Sequence, residues 1–421
     1  MRVSHLLISC LIVALPWLTA CTVNPVTGEQ QFTLMTPAEE ISIGEQQYPP
    51  SLQSQGGVYR VDPALNDYVN RIGQKLAAYS DRPELPYEFV VLNNDVPNAW
   101  ALPGGKIAIN RGLLYHLEDE SQLAAVLAHE IVHAAARHGA TQHTRSILLG
   151  AGGQLIAQVG ESYGVGGIAQ QGAALGTSLI SARYSQSQEL QSDSYGMDYM
   201  AKAGYEPMGA VELQEAFVKL SEGRQQSPIA VFFQSHPPSQ TRVKANLAKA
   251  RELPSGVRNR AAYQRATQQI RQDKPAYELH QQAQKLAGEK QYAQAADKVR
   301  QAIKLQDRES QFWITLGRLQ MQSNQTSQAQ NSFDKALALN DEYFASHLYR
   351  GILALEQKDY RAAQRDLNNS NRLLPSQVGT YYQAQAELGL GNTEQARQML
   401  QAVQQAGGEL GQAAADQLQR L

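Results

Sequence analysis

The chain has 421 residues, a formal net charge of −2, nine histidines and two cysteines, Cys10 and Cys21. A charge so close to zero gives no general pull toward nucleic acid. Two cysteines supply neither a disulfide framework nor a thiolate cluster for a metal. Roughly 400 residues are ample for two domains, whose stability must then come from buried apolar cores.

Residues 1–20 read as an export signal rather than as part of the fold: Arg2 is a positive start, Leu6 to Leu18 is apolar, and small residues close it. The run is short for a membrane span and carries Pro16. Leu18-Thr-Ala-Cys21 resembles a bacterial lipobox. That resemblance implies cleavage before Cys21, lipid on its sulfur, and a lipoprotein anchored to the outer membrane on the periplasmic side. Residues 21–60 are expected to form a tether and N-terminal segment. A short helix from Pro37 to Gln47 interrupts it, capped by Thr36 with Glu39 in capping-box spacing and followed by a Tyr48-Pro-Pro50 pause.

From Asp62 the pattern tightens into a domain spanning 61–255. Leu65, Tyr68, Val69, Ile72 and Leu76 have helical spacing, and Tyr87 to Leu92 reads as a strand. Gly104-Gly105 turns into a second strand, Lys106 to Asn110. This strand is either an ordinary core hairpin or an exposed edge able to hold an extended peptide by backbone hydrogen bonds.

The next segment, Leu123 to His133, carries His129, Glu130 and His133. On a helix, positions four apart share one face, so two imidazoles can grip one Zn²⁺ while Glu130 takes a proton from the attacking water. Asp119 is the expected N-cap with Gln122 reaching back, and Gly139 the expected stop. Leu123, Leu127 and Ile131 form an apolar ridge on the opposite side.

Structural zinc sites have four protein ligands, catalytic ones three and an open position. Ala136 and Gly139 stand where an extended metzincin motif needs Gly and His, so that class is excluded. His138, one residue short, supports the site or its loop. Glu189 and Asp193, again four apart, are the better candidates: Glu189 as third ligand, and Asp193 as acceptor for the second ring nitrogen of a ligand histidine. Between the two motifs, Ser146 to Ala182 carries a single charge, Glu161, and many glycines. It is too broken for a span and reads as a helical hairpin or lid over the cleft.

Three segments together, His129-Glu-Ile-Val-His-Ala-Ala-Ala-Arg-His138, Glu189-x-x-x-Asp193 and Ser235-His-Pro-Pro-Ser-Gln-Thr-Arg242, resemble the zinc metallopeptidase family of the CAAX prenyl protease and the bacterial heat-shock membrane peptidase. Asn98 to Gly105 is similar to that family's strand segment. The resemblance covers roughly 62–253. It implies a zincin-like catalytic domain with one Zn²⁺ on His129, His133 and Glu189. It also allows Asp193 a proton-donor role, and sets His236 and Arg242 facing the cleft, where either could stabilise an oxyanion. His236 could instead turn inward and fill the fourth position as a gate.

Beyond Gly256 glutamine and alanine rise. A linker helix is expected over 256–273 and a repeat domain over 274–421. Ala295, Ala329 and Ala363 recur every 34 residues and Ala396 follows after 33, with Val299, Phe333, Leu367 and Leu400 in the same register. This is the tetratricopeptide pattern, with Gln320 where the motif has tyrosine. Such a stack offers a concave surface for a peptide or partner protein.

The fold class is therefore mainly α (α+β): a metallopeptidase domain with a small sheet, then an α-solenoid. The expected function is a lipid-anchored zinc endopeptidase of the cell envelope, acting on misfolded or unassembled envelope proteins in protein quality control or outer-membrane protein assembly. The alternative is a repeat-based assembly chaperone or scaffold with a quiet protease site.

Overall fold

A computed structural model describes residues 21–148, 183–223 and 229–421. The expected signal at 1–20 lies outside the described residues, as does the expected lid beyond Leu148. No helix among the described residues is long and apolar enough to cross a membrane.

The N-terminal segment is more ordered than a tether. Strands β1 (Cys21–Val23) and β2 (Gln30–Phe32) form an antiparallel hairpin. Helix α1 (Pro37–Ser54) follows, with the capping box of Thr36 and Glu39 fully made. It does not stop at Gln47 but runs through Pro49 and Pro50. Packing overrides the proline penalty: the Tyr48 ring meets Trp100 edge-on at 6.1 Å, and its hydroxyl donates to Ile107 O. Gly44 permits this seat, because a Cβ there would stand 2.1 Å from Pro103 O.

Helix α2 (Pro63–Ala77) is capped by Asp62 and buries the apolar face expected of it. Strands β3 (Glu88–Leu92), β4 (Ala99–Leu102) and β5 (Lys106–Asn110) form a sheet of order β3-β5-β4, parallel between β3 and β5 and antiparallel between β4 and β5. Of the two readings of Lys106–Asn110, the core hairpin is the one found: it is the central strand, paired antiparallel with Ala99–Leu102, and β3 and β4 are the edges. A one-turn helix α3 (Arg111–Leu114) leads to α4 (Glu120–Ala135), every residue of which is buried.

Two details of α4 differ from expectation. Asp119 caps it, but the Gln122 side-chain oxygen Oε1 accepts from Glu118 N, one residue before the cap. The stop is Arg137, in the left-handed region at φ 63, while Gly139 lies inside the next helix, α5 (His138–Leu148). Tertiary contacts hold the arginine there. Its guanidinium donates to Glu40 of α1 and to Met35 O, and Arg82 makes a second pair with the same buried carboxylate.

Helices α6 (Gln186–Lys202), α7 (Met208–Gly223), α8 (Ala230–Ser235) and α9 (Gln240–Ala250) complete this half. The expected linker helix is instead two helices, α10 (Arg260–Ala266) and α11 (Gln268–Gly288), and α11 crosses the expected boundary at 273/274. Both help close the peptidase core, since Tyr263 and Ile270 are fully buried and the Tyr263 hydroxyl donates to Leu114 O.

A solenoid of helical hairpins follows: α11 with α12 (Tyr292–Leu305), α13 (Ser310–Gln322) with α14 (Thr326–Leu339), α15 (Phe344–Glu356) with α16 (Tyr360–Leu373), and α17 (Gln377–Gly389) with α18 (Thr393–Ala406). Helix α19 (Gly408–Leu418) ends the stack. The residues that recur in register, Ala295, Ala329, Ala363 and Ala396 with Val299, Phe333, Leu367 and Leu400, are all fully buried. A Cβ at Gly317 would press to 2.5 Å from the Phe333 ring, which is why the small residue belongs there. The stack is seated on the sheet by buried polar bonds. Asn93 and the Tyr277 hydroxyl both donate to Glu309, the Arg111 guanidinium lies 3.3 Å from the centre of the Tyr277 ring, and Gln311 donates to Gly56 O.

Candidate metal centre

The site is built where α4, α6 and the turn after α8 meet. The 3.6-residue period puts His129 and His133 on one face of α4, and Glu189 and Asp193 on one face of α6. Gly196, one turn further along α6, lets the helices close up: a Cβ there would stand 3.2 Å from His129 N. His236 ends α8 and precedes Pro237.

The side chains converge. Nε2 of His133 is 3.0 Å from Nε2 of His129, Glu189 Oε1 is 3.3 Å from Nε2 of His133, and Glu189 Oε2 is 3.5 Å from Nε2 of His129. Nδ1 of His236 joins them, 3.3 Å from Nε2 of His129 and 3.2 Å from Glu189 Oε1. One ligand atom from each of His129, His133, Glu189 and His236 lies within 4.8 Å of the others, and all four residues are buried. Among the described residues this is the one such group. Three imidazole nitrogens and a carboxylate suit a borderline metal such as zinc better than a hard cation.

Glu130 is 1% exposed and neither carboxylate oxygen has a hydrogen-bond partner; His236 Nε2 stands 3.6 Å from Oε1. Burial raises its pKa. A dehydrated carboxylate with free lone pairs beside a cation site is well suited to accept a proton.

Charge in the pocket is balanced by Arg242. Its Nε and Nη2 donate to the two oxygens of Asp193 at 2.7 Å each, Nη1 is 2.7 Å from Glu189 Oε2 and donates to Pro237 O, and the Gln214 amide oxygen also accepts from Nη2. Most donors of the guanidinium are thus turned to Asp193, Pro237 and Gln214, while Arg242 still lines the cleft beside the ligands. Burial works against the ionised forms of Glu189 and Asp193. For Glu189, His236 and His129 outweigh it and hold the carboxyl well below the usual range; for Asp193, Arg242 outweighs it and lowers the carboxyl. Asp193 Oδ1 accepts from Nδ1–H of His129 at 2.9 Å. Burial would lower the pKa of that ring, but Glu189 and Asp193 lift it to about 10. Burial drives His133 well below its usual value and His138 to about 4.

Sequence reasoning missed several neighbours. The Tyr184 ring stacks on His133, with centroids 3.8 Å apart, and Gln191 binds His138. Asn246 donates to Asp193 at 3.4 Å. Beside the ligands, a small cleft has Val126, Met197, Met200, Ala210, Leu213 and Phe217 among its walls. Only Asn246, one turn beyond Arg242, and Gly196, in step with Glu189 and Asp193, could have been found from spacing.

A helix bearing His-Glu-x-x-His, joined by a glutamate from a second helix, defines the gluzincin class of metallopeptidase scaffold. Within that class the chain belongs to peptidase family M48, whose pattern matches residues 63–250. The family resemblance read from the three motifs is thereby borne out.

Among curated relatives, the chain is 30% identical over 258 residues to the putative β-barrel assembly-enhancing protease of Vibrio cholerae serotype O1, covering 58% of this chain and 52% of that one. It is 29% identical over 198 residues to the β-barrel assembly-enhancing protease of Escherichia coli K12, covering 46% and 40%. It is 31% identical over 188 residues to the metalloprotease LoiP of the same organism, covering 44% and 71%. The matched stretch thus spans about half or less of the two β-barrel assembly-enhancing proteases.

Proposed function

We propose that this chain is a zinc-dependent endopeptidase of the cell envelope, with unassembled or misfolded outer-membrane proteins as its substrates. The observation that carries the reading is the convergence of His129, His133 and Glu189 beside a buried Glu130 whose oxygens have no partner. The metal would be held by those three residues, and when bound it would polarise the scissile carbonyl and make water acidic enough to attack at neutral pH. Glu130 accepts the proton of the attacking water and passes it to the leaving amine. Asp193 orients His129 and is itself held by the Arg242 guanidinium behind it.

His236 lies inside the ligand set, which supports its acting as a gate: four protein ligands close a site, and turnover needs one position open. Substrate would lie along the outer edge of β4. Asn110 N donates to Asn98 O, so with this register the N–H and C=O of Ala99 and Ala101 face away from β5. Ala101 shares a small cleft with His133, and the apolar part of the cleft beside His129 and His236 suits an apolar side chain. The relatives' names support β-barrel assembly as the setting, and the repeat stack supports docking of a partner or substrate. Lipid on Cys21 would hold the chain at the membrane, and Cys21→Ser should release it with its activity unchanged.

Glu130→Gln tests the reading. It should retain stoichiometric zinc and lose cleavage of an unfolded outer-membrane protein by ~10²–10⁴-fold. Full cleavage by the zinc-loaded variant would remove Glu130 as the base. Loss of cleavage with envelope function intact in cells would favour a repeat-based chaperone.

A further inference from the structure

We propose that Gln191 and His138 form a tautomer relay that keeps Nε2 of His133 free of its proton, and so competent as a metal ligand. The proposal rests on the reading of His133 as a ligand.

The geometry is a short chain of three groups. Nδ1 of His133 faces Nδ1 of His138 at 2.9 Å, and Nε2 of His138 faces the Gln191 amide oxygen at 2.6 Å. His133 and His138 are both buried, so no bulk water substitutes for either contact. A neutral imidazole carries one proton, and two ring nitrogens facing each other can share only one. If Nε2 of His133 gives its lone pair to a metal, its proton sits on Nδ1 and must be donated to a bare Nδ1 of His138. The proton of His138 is then on Nε2 and needs an acceptor. The amide oxygen of Gln191 is that acceptor, and it fixes the whole chain from its far end. With a donor there instead, His138 would hold its proton on Nδ1, directed at His133, and the only matching tautomer of His133 has Nε2 blocked.

The two histidines of the motif are therefore supported differently. His129 donates to a carboxylate, Asp193, whereas His133 donates to an uncharged ring held by an uncharged amide. A second carboxylate behind His133 would add negative charge to a pocket that already holds Glu130, Glu189 and Asp193 with Arg242 as the cation among them. The relay sets the proton's position without adding charge. Local packing keeps it in place: Gln142 of α5 donates to Arg183 O and to the side chain of Gln188, tying α5 to the start of α6. The left-handed turn at Arg137 sets His138 at the head of α5, within reach of both partners.

The test uses the full-length protein with two readouts, zinc affinity by chelator competition and the ring-nitrogen NMR signals of ¹⁵N-histidine in zinc-free protein. Gln191→Leu removes the acceptor and should weaken zinc binding by ~10–100-fold, the usual cost of losing a group that orients a ligand. In the zinc-free protein His133 should shift from the Nδ1–H form toward the Nε2–H form. Gln191→Glu keeps an acceptor but adds charge, so it should bind zinc more tightly than Gln191→Leu without matching wild type. Gln191→Lys, which offers only donors, should match or exceed the loss in Gln191→Leu and covers a failure of the leucine variant to fold. Unchanged zinc affinity and unchanged tautomers in the folded Leu or Lys variant would overturn the relay while leaving the metal reading intact. Wild-type protein that takes up no zinc would overturn both.

Discussion

Replacing Arg242 by leucine should expose how the pocket's charge is balanced. The guanidinium is 3% exposed, gives two 2.7 Å bonds to Asp193, and sits 2.7 Å from Glu189. Leucine fills part of the space but leaves two buried carboxylates without their common cation. Removing one partner of a buried pair typically costs ~3–5 kcal/mol, against a total folding stability of ~5–15 kcal/mol. The zinc-free variant should therefore lose about a fifth or more of its stability. Saturating zinc changes the comparison, because a dication held beside Glu189 supplies positive charge where the guanidinium was. Zinc at 100 times its Kd also adds ~2.7 kcal/mol to any form that binds it. Unfolding of wild type and Arg242→Leu would be followed in chelator and in excess zinc. The gap should be ~3–5 kcal/mol in chelator and clearly narrower in zinc. A gap under ~1 kcal/mol in chelator, as for an exposed pair, would refute the counter-charge argument. So would a gap that zinc leaves unchanged.

Glu189→Ala should lose zinc outright, whereas Asp193→Ala should weaken it by ~10–100-fold; stoichiometric zinc in both under chelator competition would place the third ligand elsewhere. His236→Ala should raise basal cleavage if His236 is a gate, and a fall of ~10²–10³-fold at unchanged zinc content would instead make it an oxyanion donor. In the repeats, Arg350 donates to both oxygens of Asp366 at 2.7 and 2.8 Å. Burial opposes ionisation of Asp366, but His347 and Arg350 outweigh it and hold the carboxyl below its ordinary 3.8. A depressed carboxyl pKa stabilises the fold above the unfolded value and is lost as pH falls through the folded one. Asp366→Asn should thus cost ~1–3 kcal/mol at pH 7, and the difference from wild type should shrink below pH 3.8 in thermal melts. A difference independent of pH would exclude an ionic origin.

What the sequence alone determined is whatever a helical or 34-residue period encodes. His129 with His133, and Glu189 with Asp193, share helix faces because four residues make about one turn. The solenoid was legible because Ala295, Val299 and their later equivalents must each be buried against the next hairpin. Capping at Thr36 and Asp119 is likewise local chemistry, written within four residues. Tertiary structure alone decided what depends on a partner distant in the chain. Arg137 ends α4 in a conformation disfavoured for a side chain because Glu40, 97 residues earlier, holds its guanidinium. Helix α1 passes two prolines because Tyr48 is anchored on Trp100. β4 rather than β5 is an edge because β3 pairs parallel with β5 from the other side. Arg242 faces Asp193 and Glu189, and Gln191 faces His138, because α9 and α5 are separate helices brought against α6. Periodicity gives the direction of a side chain from its own helix, but the group it meets depends on how separate elements pack.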